Sequence, residues 1–108
     1  MSIPVLAMGA AVEGLTAVDC VLLIALGDAA PRLYESGVRY RKPGKEAGHT
    51  IADLYDLLEG DCKDLAAARC AELRVFESEP AMPVVYLTSR QGRYHAVVRR
   101  ADGSIEDP

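Results

Sequence analysis

The stretch Gly60-Asp61-Cys62-Lys63-Asp64-Leu65-Ala66-Ala67 reads as a tight turn that closes one helix and opens the next. Asp61 has the short acceptor side chain of an N-cap, and Asp64 stands at N3. Cys62 then falls in the opening turn. There the positive end of the helix dipole favours thiolate over thiol, and the thiolate is the nucleophilic form. The alanine-rich body that follows, to about Val75, suits a helix packed closely against a sheet, since small side chains permit the approach.

Working downstream, the apolar period changes from helical to two after Glu77-Ser78-Glu79-Pro80. Strands are expected over residues 82–88, 93–100 and 104–107, with turns at 89–92 and 101–103. Helices first and antiparallel strands later define an α+β fold.

Working upstream, Thr50-Ile51-Ala52-Asp53 has a capping-box pattern. Ile51, Leu54, Leu57 and Leu58 would form the buried face of a helix ending at Gly60. Residues 42–48 are the most loop-like of the chain and read as a solvated connector. Residues 38–41 alternate like a short strand, and Pro31 and Gly37 bracket a short helix. Thr16-Ala17-Val18-Asp19 repeats the capping pattern and is expected to start a helix running to Leu26 or Ala29. That helix is apolar nearly all round, so it is expected to be buried. Residues 1–14 carry weak signals: a loosely ordered segment with an edge strand at Ile3-Pro4-Val5-Leu6. At 108 residues the chain is expected to be one domain.

A net charge of −4 argues against a nucleic-acid surface, which would be basic. Three cysteines, at 20, 62 and 70, exclude a complete disulfide framework and point to free thiols in a reducing, cytoplasmic setting. No Lys or Arg stands ahead of the apolar residues 1–12, and the apolar run 20–27 is too short to span a bilayer, so no membrane partner is expected. Cys20 and Cys70 read as small core residues, and His49 as an exposed loop residue. The spacings of Cys62, Cys70, His49 and His95 match no common zinc pattern, and no oxygen-rich calcium loop is present. No metal or cofactor is expected.

The chemistry turns on Tyr94-His95-Ala96-Val97-Val98-Arg99. Alternation puts His95, Val97 and Arg99 on one face of the strand. A two-residue Asp-Gly loop would set Asp107 opposite Val98, away from His95. A three-residue Ala101-Asp102-Gly103 loop, with Gly103 left-handed, pairs Arg100 with Ser104 and sets Asp107 diagonal to His95 on its own face. A Cys62-His95-Asp107 triad therefore predicts the longer loop. His95 would hold the thiol proton as an ion pair and Asp107 would fix the imidazole. The Cys62 backbone N–H is a natural oxyanion donor at the helix start, and the second donor is left unassigned between Tyr40 and Tyr55. Such activation predicts alkylation of Cys62 well below the pKa of a free thiol, roughly 8.5.

These residues resemble the motifs of the transglutaminase-like superfamily, in particular its small bacterial and phage-encoded members. Gly60-Asp61-Cys62-Lys63-Asp64-Leu65-Ala66 with Ala71-Glu72-Leu73-Arg74 resembles the nucleophile helix. Tyr94-His95-Ala96-Val97-Val98 resembles the histidine strand and Asp102-Gly103-Ser104-Ile105-Glu106-Asp107-Pro108 the aspartate strand. The likeness extends over about residues 30–108, including Leu33-Tyr34-Glu35-Ser36-Gly37-Val38-Arg39-Tyr40. Lys63 stands where those relatives carry an acid, and Glu59-Gly60 where they carry Gly-x-Gly. The resemblance implies a papain-like core with catalytic Cys62, His95 and Asp107, acting on a peptide or protein amide through a thioester. The alternative it implies is a catalytically silent interaction or phage assembly module on the same fold.

Overall fold

A computed structural model describes residues 5–42, 48–88 and 93–108. The elements run α1 (Val5–Leu26), a 3-10 turn (Gly27–Ala29), a second (Leu33–Glu35), β1 (Arg39–Tyr40), α2 (Ile51–Leu57), β2 (Glu59–Gly60), α3 (Cys62–Phe76), β3 (Met82–Leu87), β4 (Tyr94–Arg99) and β5 (Ile105–Glu106). This is a mixed α+β arrangement. Strands β3, β4 and β5 form an antiparallel sheet in that order, and β1 pairs with β2 in parallel.

Helix α3 is the centre. Its Ala66, Ala67, Ala68 and Ala71 are fully buried, which lets its backbone sit close to both α1 and β4. On one side Leu65, Ala68 and Ala71 join Leu23, Leu33, Ile51 and Leu54. On the other, Cys62, Ala66, Cys70 and Leu73 meet Ala96 and Val98 of β4. The expected antiparallel strands and the close helix-on-sheet contact are both present.

The N-terminal third differs from expectation. Residues 5–14 belong to α1, so the expected edge strand is helix at Val5 and Leu6, while Ile3 and Pro4 lie outside the described residues. Thr16 and Asp19 do not cap α1. Both are buried in mid-helix: Thr16 Oγ1 donates to the Val12 carbonyl (2.8 Å) and Asp19 Oδ1 accepts from the Ile51 amide (2.9 Å) at the start of α2. Both are hydrogen-bonding groups, but Thr16 bonds back one turn within α1 and Asp19 is taken by a tertiary partner. Nor is α1 buried all round: Val21 and Ile24 are 67% and 70% exposed. Together with the turn after it, Val5–Ala29 is long and apolar enough to cross a membrane by length and composition, its most apolar 18-residue window having a mean hydropathy of 1.9. The expectation of an apolar run too short for that rested on residues 20–27 alone and is corrected by the full length of the helix.

The helix ends behave more locally. Thr50 caps α2 with a full capping box to Asp53, and Asp61 caps α3 with one to Asp64. The residue that terminates α2 is Leu58, held left-handed at φ 59°, rather than Gly60. Gly60 is glycine for another reason. A Cβ there would lie 2.3 Å from Leu54 Cδ2 and 3.2 Å from Asp64 Cβ, so α2 and α3 leave no room for a side chain. The connector at 43–47 and the turn at 89–92 lie outside the described residues.

Candidate active site

Cys62 is the first residue of α3, fixed there by the reciprocal box around it. Asp61 Oδ1 accepts from the Asp64 amide (3.2 Å), and Asp64 Oδ2 accepts from the Asp61 amide (3.1 Å). Asp64 Oδ1 also accepts from the His49 amide (2.8 Å), tying the preceding loop to the same turn. Lys63 Nζ donates to Asp61 Oδ2, so the acid beside the cysteine is neutralised locally. His49 is half-buried by these contacts and by Arg41, whereas the sequence suggested an exposed loop residue.

His95 and Asp107 arrive from the sheet. Gly103 sits at φ 88° and its amide donates to the Arg100 carbonyl (2.9 Å), while the Arg100 amide donates to the Ser104 carbonyl (2.8 Å). This is the three-residue loop. Val98 then pairs with Glu106 and Arg99 with Ile105, a register that continues to Val97 opposite Asp107. His95 Nε2 lies 2.9 Å from Asp107 Oδ2. Nδ1 is left as the ring nitrogen for a second partner. Tyr86, the cross-strand neighbour of His95, meets its ring edge-to-face at 5.7 Å between centroids.

The three side chains share one cleft of about 380 Å³, lined by Tyr40, Cys62, Leu65, His95, Asp107 and Pro108. Tyr40 comes from β1, brought to the mouth of α3 by its parallel pairing with Gly60. Of the two tyrosines suggested as oxyanion donors, only Tyr40 lies here. The Tyr55 hydroxyl instead donates to the Pro31 carbonyl (2.9 Å), and burial pushes its pKa up to about 12.

The surroundings of Cys62 act against the thiolate expected at the helix start. The residue is 8% exposed, and burial pushes its thiol above the ordinary value. The Ala96 backbone and Lys63 oppose that shift, while Asp61 adds to it. Desolvation thus works against the thiolate that the helix start favours. Cys70 is more deeply enclosed, with burial pushing it up to about 12, and Cys20 is half-buried against the other core, as small core residues would be. Among the described residues no group of three or more His, Cys, Asp or Glu side chains could hold a metal ion.

A feature invisible to the strand pattern holds the last strand in place. Glu106, adjacent to Asp107, accepts from Arg69 Nε (2.6 Å) and Arg100 Nη1 (2.9 Å) and from the Tyr34 hydroxyl. Arg69 also donates to Glu72 (3.2 Å), which is 2% exposed and accepts from the Leu33 amide. Arg100 in turn chelates Glu79 at 2.6 and 2.7 Å. Both arginine clamps hold the Glu106 carboxyl below its ordinary value despite its partial burial. Strand β5 is thus tied to α3 and to the segment that enters β3.

Compared with protein-family models, with curated proteins and with solved structures, the chain matches none.

Proposed function

We propose that the chain is a cysteine-dependent amide hydrolase or acyltransferase of papain-like, transglutaminase-like architecture. The observation that carries this reading is the 2.9 Å His95–Asp107 contact in a cleft that Cys62 also lines at the start of α3. In this reading Asp107 fixes the imidazole through Nε2, leaving Nδ1 for the thiol. Because burial favours the thiol over the thiolate, His95 acts as a general base as sulfur attacks, not as half of a standing ion pair. The Cys62 Sγ–C bond forms, the carbonyl π electrons move to oxygen and the thiol proton passes to Nδ1. The Cys62 amide, free of an intrahelical acceptor at the first helical position, faces the oxyanion, and the Tyr40 hydroxyl is the second donor. His95 then returns its proton to the leaving amine, giving a thioester. Water or a second amine attacks that thioester and frees Cys62. A peptide or protein amide is the substrate class.

A second reading, a silent interaction module on the same fold, is favoured by the low exposure of Cys62. Intact-mass spectrometry with glutamine-containing peptides and hydroxylamine as acceptor separates the two. The enzyme reading expects an acyl adduct on Cys62 and peptide hydroxamate. His95→Gln should slow hydroxamate formation by about 10²–10⁴-fold, the usual weight of a positioned general base. Absence of both adduct and hydroxamate across a peptide library would leave the silent module.

A further inference from the structure

Asp107 sits just past the end of a very short strand. β5 pairs with β4 at two positions, Ile105 with Arg99 and Glu106 with Val98. Strands in folded proteins usually run to about 3–10 residues, so two ladder pairs fix the backbone at Asp107 poorly. Yet Asp107 Oδ2 lies 2.9 Å from His95 Nε2, although Asp107 is exposed and no core encloses it. What the ladder lacks, the neighbouring side chain supplies. Glu106 accepts from Arg69 Nε at 2.6 Å, from Arg100 Nη1 at 2.9 Å and from the Tyr34 hydroxyl. Hydrogen bonds between charged groups are the strong ones. Each arginine is itself fixed at its other end, Arg69 on Glu72 (3.2 Å) and Arg100 on both oxygens of Glu79 (2.6 and 2.7 Å).

We propose that Glu106 is a positioning residue for Asp107: its double arginine clamp aims the acid at His95 and sets it relative to the helix that carries Cys62. Successive side chains of an extended strand point to opposite faces. Glu106, turned toward α3, therefore commits Asp107 to the other face, where His95 stands. Arg69 lies seven residues beyond Cys62, two turns along the same side of one helix. The clamp thus ties the acid to the rigid element that holds the sulfur, about 10 Å along its axis. β4, which carries His95, packs on that same helix through Ala96 and Val98. Cys62, His95 and Asp107 share one frame as a result. The consequence for turnover rests on the reading of these three residues as a catalytic triad; the aim of Asp107 does not.

Histidine-selective ¹⁵N spectra of the whole chain test that aim without substrate. With the ring neutral, the two nitrogens of His95 should show the single Nε2–H tautomer that an accepting Asp107 selects. Asp107→Ala should draw the two shifts together as the other tautomer enters. Glu106→Ala should draw them together to the same extent, and Glu106→Gln, which keeps one acceptor, part of the way. His49→Asn assigns the other of the two histidines, and circular dichroism confirms that each variant is folded. Should Glu106→Ala not fold, the isosteric Glu106→Gln carries the test. In the hydroxamate assay Glu106→Ala should slow turnover by roughly 10²-fold, the scale of a small misplacement. Added to Asp107→Ala it should cost almost nothing more, because the two act as a unit. A merely structural role would slow the Asp107→Ala protein by the same factor again. Wild-type shifts in the folded Glu106 variants would overturn the proposal, as would additive losses in the double variant. A wild type that makes no hydroxamate but loses its single tautomer in Glu106→Ala would sink the catalytic reading and leave the clamp standing.

Discussion

At the position of Cys62 two fields compete, and their balance decides how the thiol behaves. The helix start and Lys63 favour the thiolate; enclosure by Ala66, Ala96 and Val98, with Asp61 alongside, favours the thiol. A helix terminus contributes a fraction of a charge, whereas removing a charged sulfur from water costs more than that fraction returns. The raised thiol follows. The expected outcome is that iodoacetamide labels Cys62 in the folded chain with a pH midpoint above that of the same thiol unfolded in denaturant, roughly 8.5. Peptide mapping at stepped pH reads it, and a folded midpoint below the unfolded one would show that His95 already holds the proton. That Cys62, His95 and Asp107 come to one cleft was legible from the sequence because each sits on a strong local signal: a cap, an alternating strand and an Asp-Gly turn. The direction of the cysteine's shift was not, since it depends on what strand β4 lays over the sulfur.

Between elements, the same division holds. Caps Thr50 and Asp61, the period-two strands and the three-residue β4–β5 loop are set within a few residues of chain, and each appears where its signal lay. Long-range partners escaped. Thr16 and Asp19 looked like a cap because nothing in the sequence reveals that Ile51 will present its amide to Asp19. The Glu106 clamp escaped similarly: a charged residue at an inward strand position was its only signal, and its partners Arg69 and Tyr34 are 37 and 72 residues away. Gly60 shows how such contacts reach the site. It is the junction of β2 with α3, and its missing side chain lets Leu54 of α2 approach the cap of α3. Gly60→Ala should cost about 1–3 kcal/mol through overpacking. For a domain of this size that lowers the melting temperature by roughly 4–8 °C per kcal/mol. Calorimetry measures it, and an unchanged melting temperature would mean that α2 is free to move away.

Over the whole molecule the acidic groups do not act alike, and Asp19 is one of the buried carboxyls whose pKa burial raises. It is enclosed between α1 and α2, with one oxygen on the Ile51 amide and Oδ2 without a partner among the described residues. Burial raises its pKa from 3.8 to about 7, with the charges of Asp64 and Asp53 adding to the effect and the Ile51 amide opposing it. Between those two values the folded state binds a proton that the unfolded state has released, so stability falls as pH rises through this window. Asp19 is thus most favourable below about pH 4, and its full penalty is present above about pH 7. Glu79, held down to about 2 by Arg100, has the opposite sign, and its window lies mostly below that of Asp19. Asp19→Asn keeps an acceptor for Ile51 and cannot ionise. Relative to the wild type it should therefore gain stability steadily as pH is raised from about 4 to about 8, by at most ~4 kcal/mol at 1.36 kcal/mol per pKa unit. Urea denaturation of both proteins at about pH 5 and about pH 8 gives the two differences. Equal differences at the two pH values would show that the carboxyl does not titrate in this range and would overturn the pH dependence assigned to Asp19.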